Sequence, residues 1–208
     1  MERDPYMAEL KRRWETAPDP AHDIGHINRV WKTCQRLSKN EDGDLEVLHP
    51  AAIFHDLVAL PKSDPHRATA SSRAAEQTVA FLASTDFPKA KIPAVAHAIQ
   101  AYSFSANVPC ETREAKILQD ADRLDALGAI GIARCFAVSG DLGRALFHPT
   151  DPMAQNRPLD EETHALDHFQ TKLFKIAETL HTQTAKDIAK ERVAYMKAFC
   201  ATLTHETL

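Results

Sequence analysis

Apolar residues recur at helical spacing along almost the whole 208-residue chain, and no segment sustains the alternation of a half-buried strand. That periodicity restricts the chain to helix packed on helix, an all-α fold. Ile27, Val30, Trp31, Cys34 and Leu37 trace one face of a helix from about Asp23 to Asn40, which Asp42-Gly43 ends with turn chemistry. Val47, Leu48, Ala51, Ile53, Phe54 and Leu57 form a second helix that starts near Pro50, or holds that proline in its first turn, and stops before Pro61. Further helices are predicted over Thr69–Thr85, Ala90–Ala101, Glu111–Leu127, Ile130–Val138, Asp160–His181 and Thr184–Thr202. Thr184 with Asp187 approaches a capping box at the start of the last. A helical segment around Tyr6–Glu15 lies before the Pro18/Pro20 break, and residues 1–19 read as an N-terminal extension. Residues 140–158, with two glycines and three prolines, are too long for an idle connection and are placed to cover a site. No repeat or clear linker divides the chain, so residues 1–208 read as one domain.

Charge and composition remove several function classes. Lys plus Arg is 25 and Asp plus Glu 29, a formal charge of −4 without long runs of either sign, so a basic nucleic-acid footprint is not expected. No stretch approaches the roughly 20 apolar residues of a membrane span, and Met1-Glu2-Arg3-Asp4-Pro5 is not a signal sequence; the cytoplasm is the expected compartment. Cys34, Cys110, Cys135 and Cys200 are widely spaced and read as reduced thiols. The unusual count is 11 histidines, the commonest transition-metal ligands.

His55-Asp56 follows Ile53 and Phe54 toward the end of an apolar helix, where burying two ionisable groups needs a partner. Alone the pair is ambiguous, since a helix-end His and Asp can simply bond the backbone. His22-Asp23-Ile24-Gly25-His26 supplies a second cluster, with Asp23 and His22 three and four residues before His26. Asp120, Asp122 and Asp125 form a third, in a helix whose apolar positions are Ile117, Leu118, Leu124 and Leu127. Any one of these aspartates can belong to a solvated face, but three in six residues cannot all avoid the apolar side. His26, His55, Asp56 and one aspartate near 122 make a mixed imidazole–carboxylate set, suited to Mn, Fe, Co, Ni or Zn rather than calcium. Such a set leaves coordination positions for water and a substrate oxygen, as metal-assisted hydrolysis requires.

These stretches resemble the HD-domain superfamily of metal-dependent phosphohydrolases, and within it the small bacterial YedJ/YpgQ-like branch. The matching residues are His22-Asp23-x-x-His26-x-x-Arg29-Val30, Phe54-His55-Asp56, the run from Lys116 through Asp120-Ala121-Asp122-Arg123 to Gly131, and Asp167-His168-Phe169 with Lys172-Leu173. The resemblance implies a single-domain HD-type helical bundle. It implies His26, His55, Asp56 and Asp122 as ligands of one divalent metal ion, manganese foremost, with Mg, Co, Ni, Fe or Zn as alternatives. Asp120 and Asp125 then lie behind the ligands or on the helix surface.

The implied chemistry is attack of a metal-bound water on phosphorus, with Asp56 or Asp23 as the catalytic carboxylate. Asp23 has the alternative of orienting His26 through its other ring nitrogen. Lys62 and Arg67, in the loop after His55-Asp56, are candidates for holding phosphate oxygens, as are Arg123, His168 and Lys172; solvated charges, or an internal salt bridge for Arg123, are the competing readings. The implied substrate is a small phosphate ester, a nucleotide, with pyrophosphohydrolysis of nucleoside triphosphates favoured. A nucleotidase, a phosphodiesterase and a catalytically silent nucleotide-binding module are the alternatives. Neither nucleic acid nor membrane is an expected partner. One departure stands out: Tyr102-Ser103-Phe104-Ser105 occupies a stretch where the branch carries His-Ser-Phe-Ser. Tyrosine donates a hydrogen bond but is a poor ligand for these metals. His97 can replace that histidine or be an ordinary helix residue; Trp31, Phe54, Phe136 and Phe169 read as core.

Overall fold

The computed structural model describes residues 4–14, 22–60, 64–103 and 106–207. These residues are all-helical and pack into two compact units, one reaching to Asp122 and the other running from Arg123.

In the first unit, α1 (Pro5–Arg13) starts where the Asp4 carboxylate accepts the Tyr6 and Met7 backbone N–H groups and Pro5 presets the first turn. It buries Met7 and Leu10 and packs on α3, with the Tyr6 ring edge-on to Phe54. The predicted extension therefore contributes to this core. α2 (Ile24–Glu41) is capped by Asp23, whose carboxylate accepts the His26 N–H at 2.7 Å, and buries the stripe Ile27, Val30, Cys34 and Leu37. It ends at Asp42 in the left-handed conformation (φ 54°). Gly43 follows where a Cβ would come within 2.5 Å of the Ile117 side-chain tip, so a larger residue in the turn into α3 would have to displace it.

α3 (Leu45–Phe54) is apolar on all sides from Pro50 to Phe54 and buried accordingly. It stops at Phe54, so His55 and Asp56 sit in the turn after the helix rather than inside it. α4 (Ala70–Ala83) and α5 (Ile92–Tyr102) pack together, and both contact α3. α6 (Arg113–Asp125) is tied to α5 by the Gln119 amide, which donates to the Ala101 carbonyl at 2.7 Å. Asp122 on α6 is the last residue of this unit.

In the second unit, α7 (Gly128–Asp141) packs on α9 (Gln183–Thr207), with α8 (Phe174–Ala177) between them in sequence. Gly128 has φ 73° and lies against Arg192. Phe169 is fully buried beside Phe136 and Phe199. Two expectations are corrected here. No helix spans Asp160–His181: turns interrupted by a bridge at His164 occupy 161–166, a π-helical turn covers Phe169–Leu173, and α8 ends at Ala177. The reason is that the Ala165 and Leu166 N–H groups donate to the carbonyls of Ala145 and Leu146, so they are not free to close helical turns. At α9 the cap is Thr182 rather than Thr184, its hydroxyl accepting the Ala185 N–H.

Candidate metal centre

Three elements of the first unit deliver the site. The start of α2 supplies His26, the turn after α3 supplies His55 and Asp56, and the end of α6 supplies Asp122. Both imidazoles are fully buried. Their Nε2 atoms lie 3.3 Å apart, and Asp56 Oδ2 lies 3.4 Å from His26 Nε2 and 3.5 Å from His55 Nε2. Asp122 Oδ1 approaches from α6, at 3.5 and 4.0 Å from the same two nitrogens.

Helix geometry explains the convergence. Because α3 ends at Phe54, the His55 Nδ1–H reaches back to the Ala52 carbonyl at 2.8 Å, which leaves Nε2 as the bare acceptor of the neutral ring. Asp56 Oδ2 is buried and lacks a hydrogen-bond partner, a costly state for a carboxylate oxygen. Burial alone pushes the Asp56 carboxyl upward; the adjacent His55 and then His26 imidazoles, when protonated, outweigh it and hold the group well below the usual carboxylate range. An ionised oxygen and imidazole nitrogens aimed at one point are a donor set for a divalent cation. Donors about 2.1 Å from a common ion sit about 3.0–3.4 Å from their neighbours, close to the 3.3–3.5 Å within the His26, His55 and Asp56 trio, while Asp122 lies somewhat further out.

Tyr102, at the end of α5, is the residue whose place in the site the sequence left open. Its hydroxyl donates to Asp56 Oδ1 at 2.5 Å, and its ring stands edge-on to His55. Burial, then the charges of Asp56 and Asp122, push its phenol well above the ordinary range, while the nearby Arg67 opposes them. The one hint in the sequence was the departure itself, a hydrogen-bonding residue at a motif position.

An HD-domain family model matches residues 21–127, a span that carries all four converging side chains. The chain belongs to the HD-domain family. It is 33% identical to the Bacillus subtilis protein YpgQ over 202 residues, covering 93% of this chain and 90% of that one. The crystal structure of YpgQ in complex with ADP superimposes with a TM-score of 0.72 at 30% identity, covering 96% of this chain and 97% of the other. An HD-superfamily hydrolase from Bacillus thuringiensis gives a TM-score of 0.73 at 34% identity, covering 97% and 94%. This HD-domain chain is accordingly an enzyme, a hydrolase of that superfamily.

The remaining candidates scatter. Asp23 caps α2 by accepting the backbone N–H of His26, a support for that histidine through the main chain rather than through its ring. Arg67 lies in the 3-10 turn before α4, close enough for its charge to act on Tyr102. Lys62 falls outside the described residues. Arg123, in the second unit, donates to the Thr179 carbonyl at 2.7 Å and to its hydroxyl at 2.9 Å. His168 Nδ1 meets Glu161 at 2.6 Å, and Lys172 is exposed. Asp120 and Asp125 are buried rather than on the helix surface, with Asp125 held by Arg134 at 2.6 Å. His97 is an ordinary helix histidine whose Nε2 accepts the Glu111 N–H. Phe54 and Phe169 are core, whereas Trp31 is half-buried and stacks on His49.

Proposed function

We propose that this protein is a metal-dependent phosphohydrolase that cleaves a nucleotide, with His26, His55, Asp56 and Asp122 holding one divalent ion, manganese foremost. The observation that carries the reading is the buried, unpartnered Asp56 Oδ2 facing the Nε2 atoms of two buried histidines, with Asp122 Oδ1 beside them. The ion, when bound, supplies Lewis acidity: it lowers the pKa of a bound water and polarises a phosphoryl oxygen. The chain's own residues do the rest. The Ala52 carbonyl fixes the ring and tautomer of His55, and the Asp23 cap fixes the start of α2 and with it His26. Asp56 and Asp23 are the carboxylates proposed to manage the proton of the attacking water. Arg67, close enough for its charge to act on Tyr102, is proposed to hold a phosphate oxygen, with Lys62 from the sequence stretch after His55-Asp56. Arg123, His168 and Lys172 stay as further proposed substrate contacts.

That YpgQ has been crystallised with ADP supports a nucleotide substrate, and pyrophosphohydrolysis of a nucleoside triphosphate is the reaction proposed. The test is release of phosphate and pyrophosphate from a nucleotide panel by metal-stripped protein, with Mn, Co, Ni, Mg, Fe or Zn restored singly. Pyrophosphate from a triphosphate is the expected product. Phosphate from a monophosphate makes the enzyme a nucleotidase, and no release with any metal refutes the proposed nucleotide hydrolysis. The double substitution His55→Ala/Asp56→Ala is expected to lower turnover at least about a hundredfold.

A further inference from the structure

The two oxygens of Asp56 have different surroundings. Oδ1 accepts the Tyr102 hydroxyl at 2.5 Å, the length of an O–H donor against an ionised carboxylate. Oδ2 is buried without a hydrogen-bond partner and faces both imidazole nitrogens. The Tyr102 ring is itself fixed, edge-on to His55 with centroids 4.8 Å apart and planes at 85°. The hydroxyl therefore stands on a braced support, and it meets one carboxylate oxygen while leaving the other to the imidazoles.

We infer that Tyr102 is a positioning residue that restricts Asp56 to coordination through Oδ2 alone and so keeps one position on the metal open for water or a substrate oxygen. The inference rests on the metal centre proposed above. A carboxylate with both oxygens free binds a cation through one or both. Two-oxygen binding would fill a position that hydrolysis needs vacant. Engaging Oδ1 in a charge-assisted hydrogen bond makes that second contact compete with Tyr102. Tyr102 does not touch the reacting atoms in this scheme; it acts through Asp56.

The test compares unaltered protein with Tyr102→Phe, which keeps the ring against His55 and removes the hydroxyl. Each is stripped, checked for its metal-free melting temperature and titrated with Co2+, whose visible absorption reports coordination number. In Tyr102→Phe the Co2+ bands are expected to change in position and intensity. With Mn2+, kcat is expected to fall about 10- to 100-fold while KM stays within about twofold. A cobalt spectrum and kcat matching those of the unaltered protein overturn the inference and leave the metal centre standing. Absence of any cobalt spectrum in the unaltered protein overturns the metal centre and the inference together. Tyr102→Met, which also lacks the hydroxyl, carries the same comparison if the phenylalanine variant does not fold.

Discussion

Asp56→Asn is expected to make the metal-free protein more stable while abolishing its response to metal. The carboxylate places an unpartnered acceptor, Oδ2, in a buried position between the Nε2 atoms of His26 and His55, at 3.4 and 3.5 Å. An amide keeps an oxygen for the Tyr102 hydroxyl and turns an NH2 donor toward the bare Nε2 of His55. A buried polar group without a partner costs about 1–3 kcal/mol, so removing the mismatch should return about 1–2 kcal/mol. For a chain of this size that is a rise of roughly 2–8 °C in melting temperature. Metal acts oppositely on the two proteins. At a thousand times its dissociation constant it stabilises the unaltered protein by about 4 kcal/mol, or roughly 8–16 °C, and the variant by almost nothing. Thermal and urea unfolding with EDTA or with Mn2+, at about pH 8 where imidazoles are ordinarily neutral, measure both quantities. A metal-free variant less stable than its parent, or an equal Mn2+ increment in both, refutes the reasoning.

Two further predictions concern the scaffold. Asp167 is fully buried and accepts two parallel hydrogen bonds from Arg157, at 2.6 and 2.7 Å, plus the Asp160 N–H; Arg157→Ala strands that charge and should cost about 3–5 kcal/mol by urea unfolding, and a loss below about 1 kcal/mol contradicts it. The Arg12 hydrogen bond, reinforced by Arg13 against partial burial, holds the Glu9 carboxyl at about 2. Because that value lies below the unfolded one, its contribution is complete above about pH 4.5 and is lost as pH falls toward 2. The melting-temperature gap between the unaltered protein and Glu9→Gln should therefore narrow over that range, and a constant gap contradicts the assignment.

The helices read from the sequence are those whose apolar stripe meets a neighbour in their own unit, as α2 and α7 do. Asp160–His181 misled because its spacing is helical while its backbone donors are taken by Ala145 and Leu146, partners about twenty residues away that no local pattern reveals. The convergence of His26, His55 and Asp56 with an aspartate near 122 was legible because imidazoles and carboxylates set among apolar residues need one another; the choice of Asp122 among the three came from the family resemblance. The place of Tyr102 was not, because its hydrogen bond to Asp56 spans 46 residues and depends on where α5 ends. The burial of Asp120 was left open, since one helix carries three aspartates whose surroundings are set by different neighbours.

The π-helical turn at Phe169–Leu173 bears on how the chain tolerates changes in length. A π turn holds one residue more than an α turn, so the segment carries a spare residue that an ordinary helix would omit. Deleting one residue there lets the hydrogen-bond ladder close into a regular turn. The same deletion in α6 between Lys116 and Asp122 turns the Asp122 carboxylate about 100° away from the imidazoles it now faces. Single-residue gaps in relatives should accordingly gather at the π turn and spare the helix that delivers Asp122.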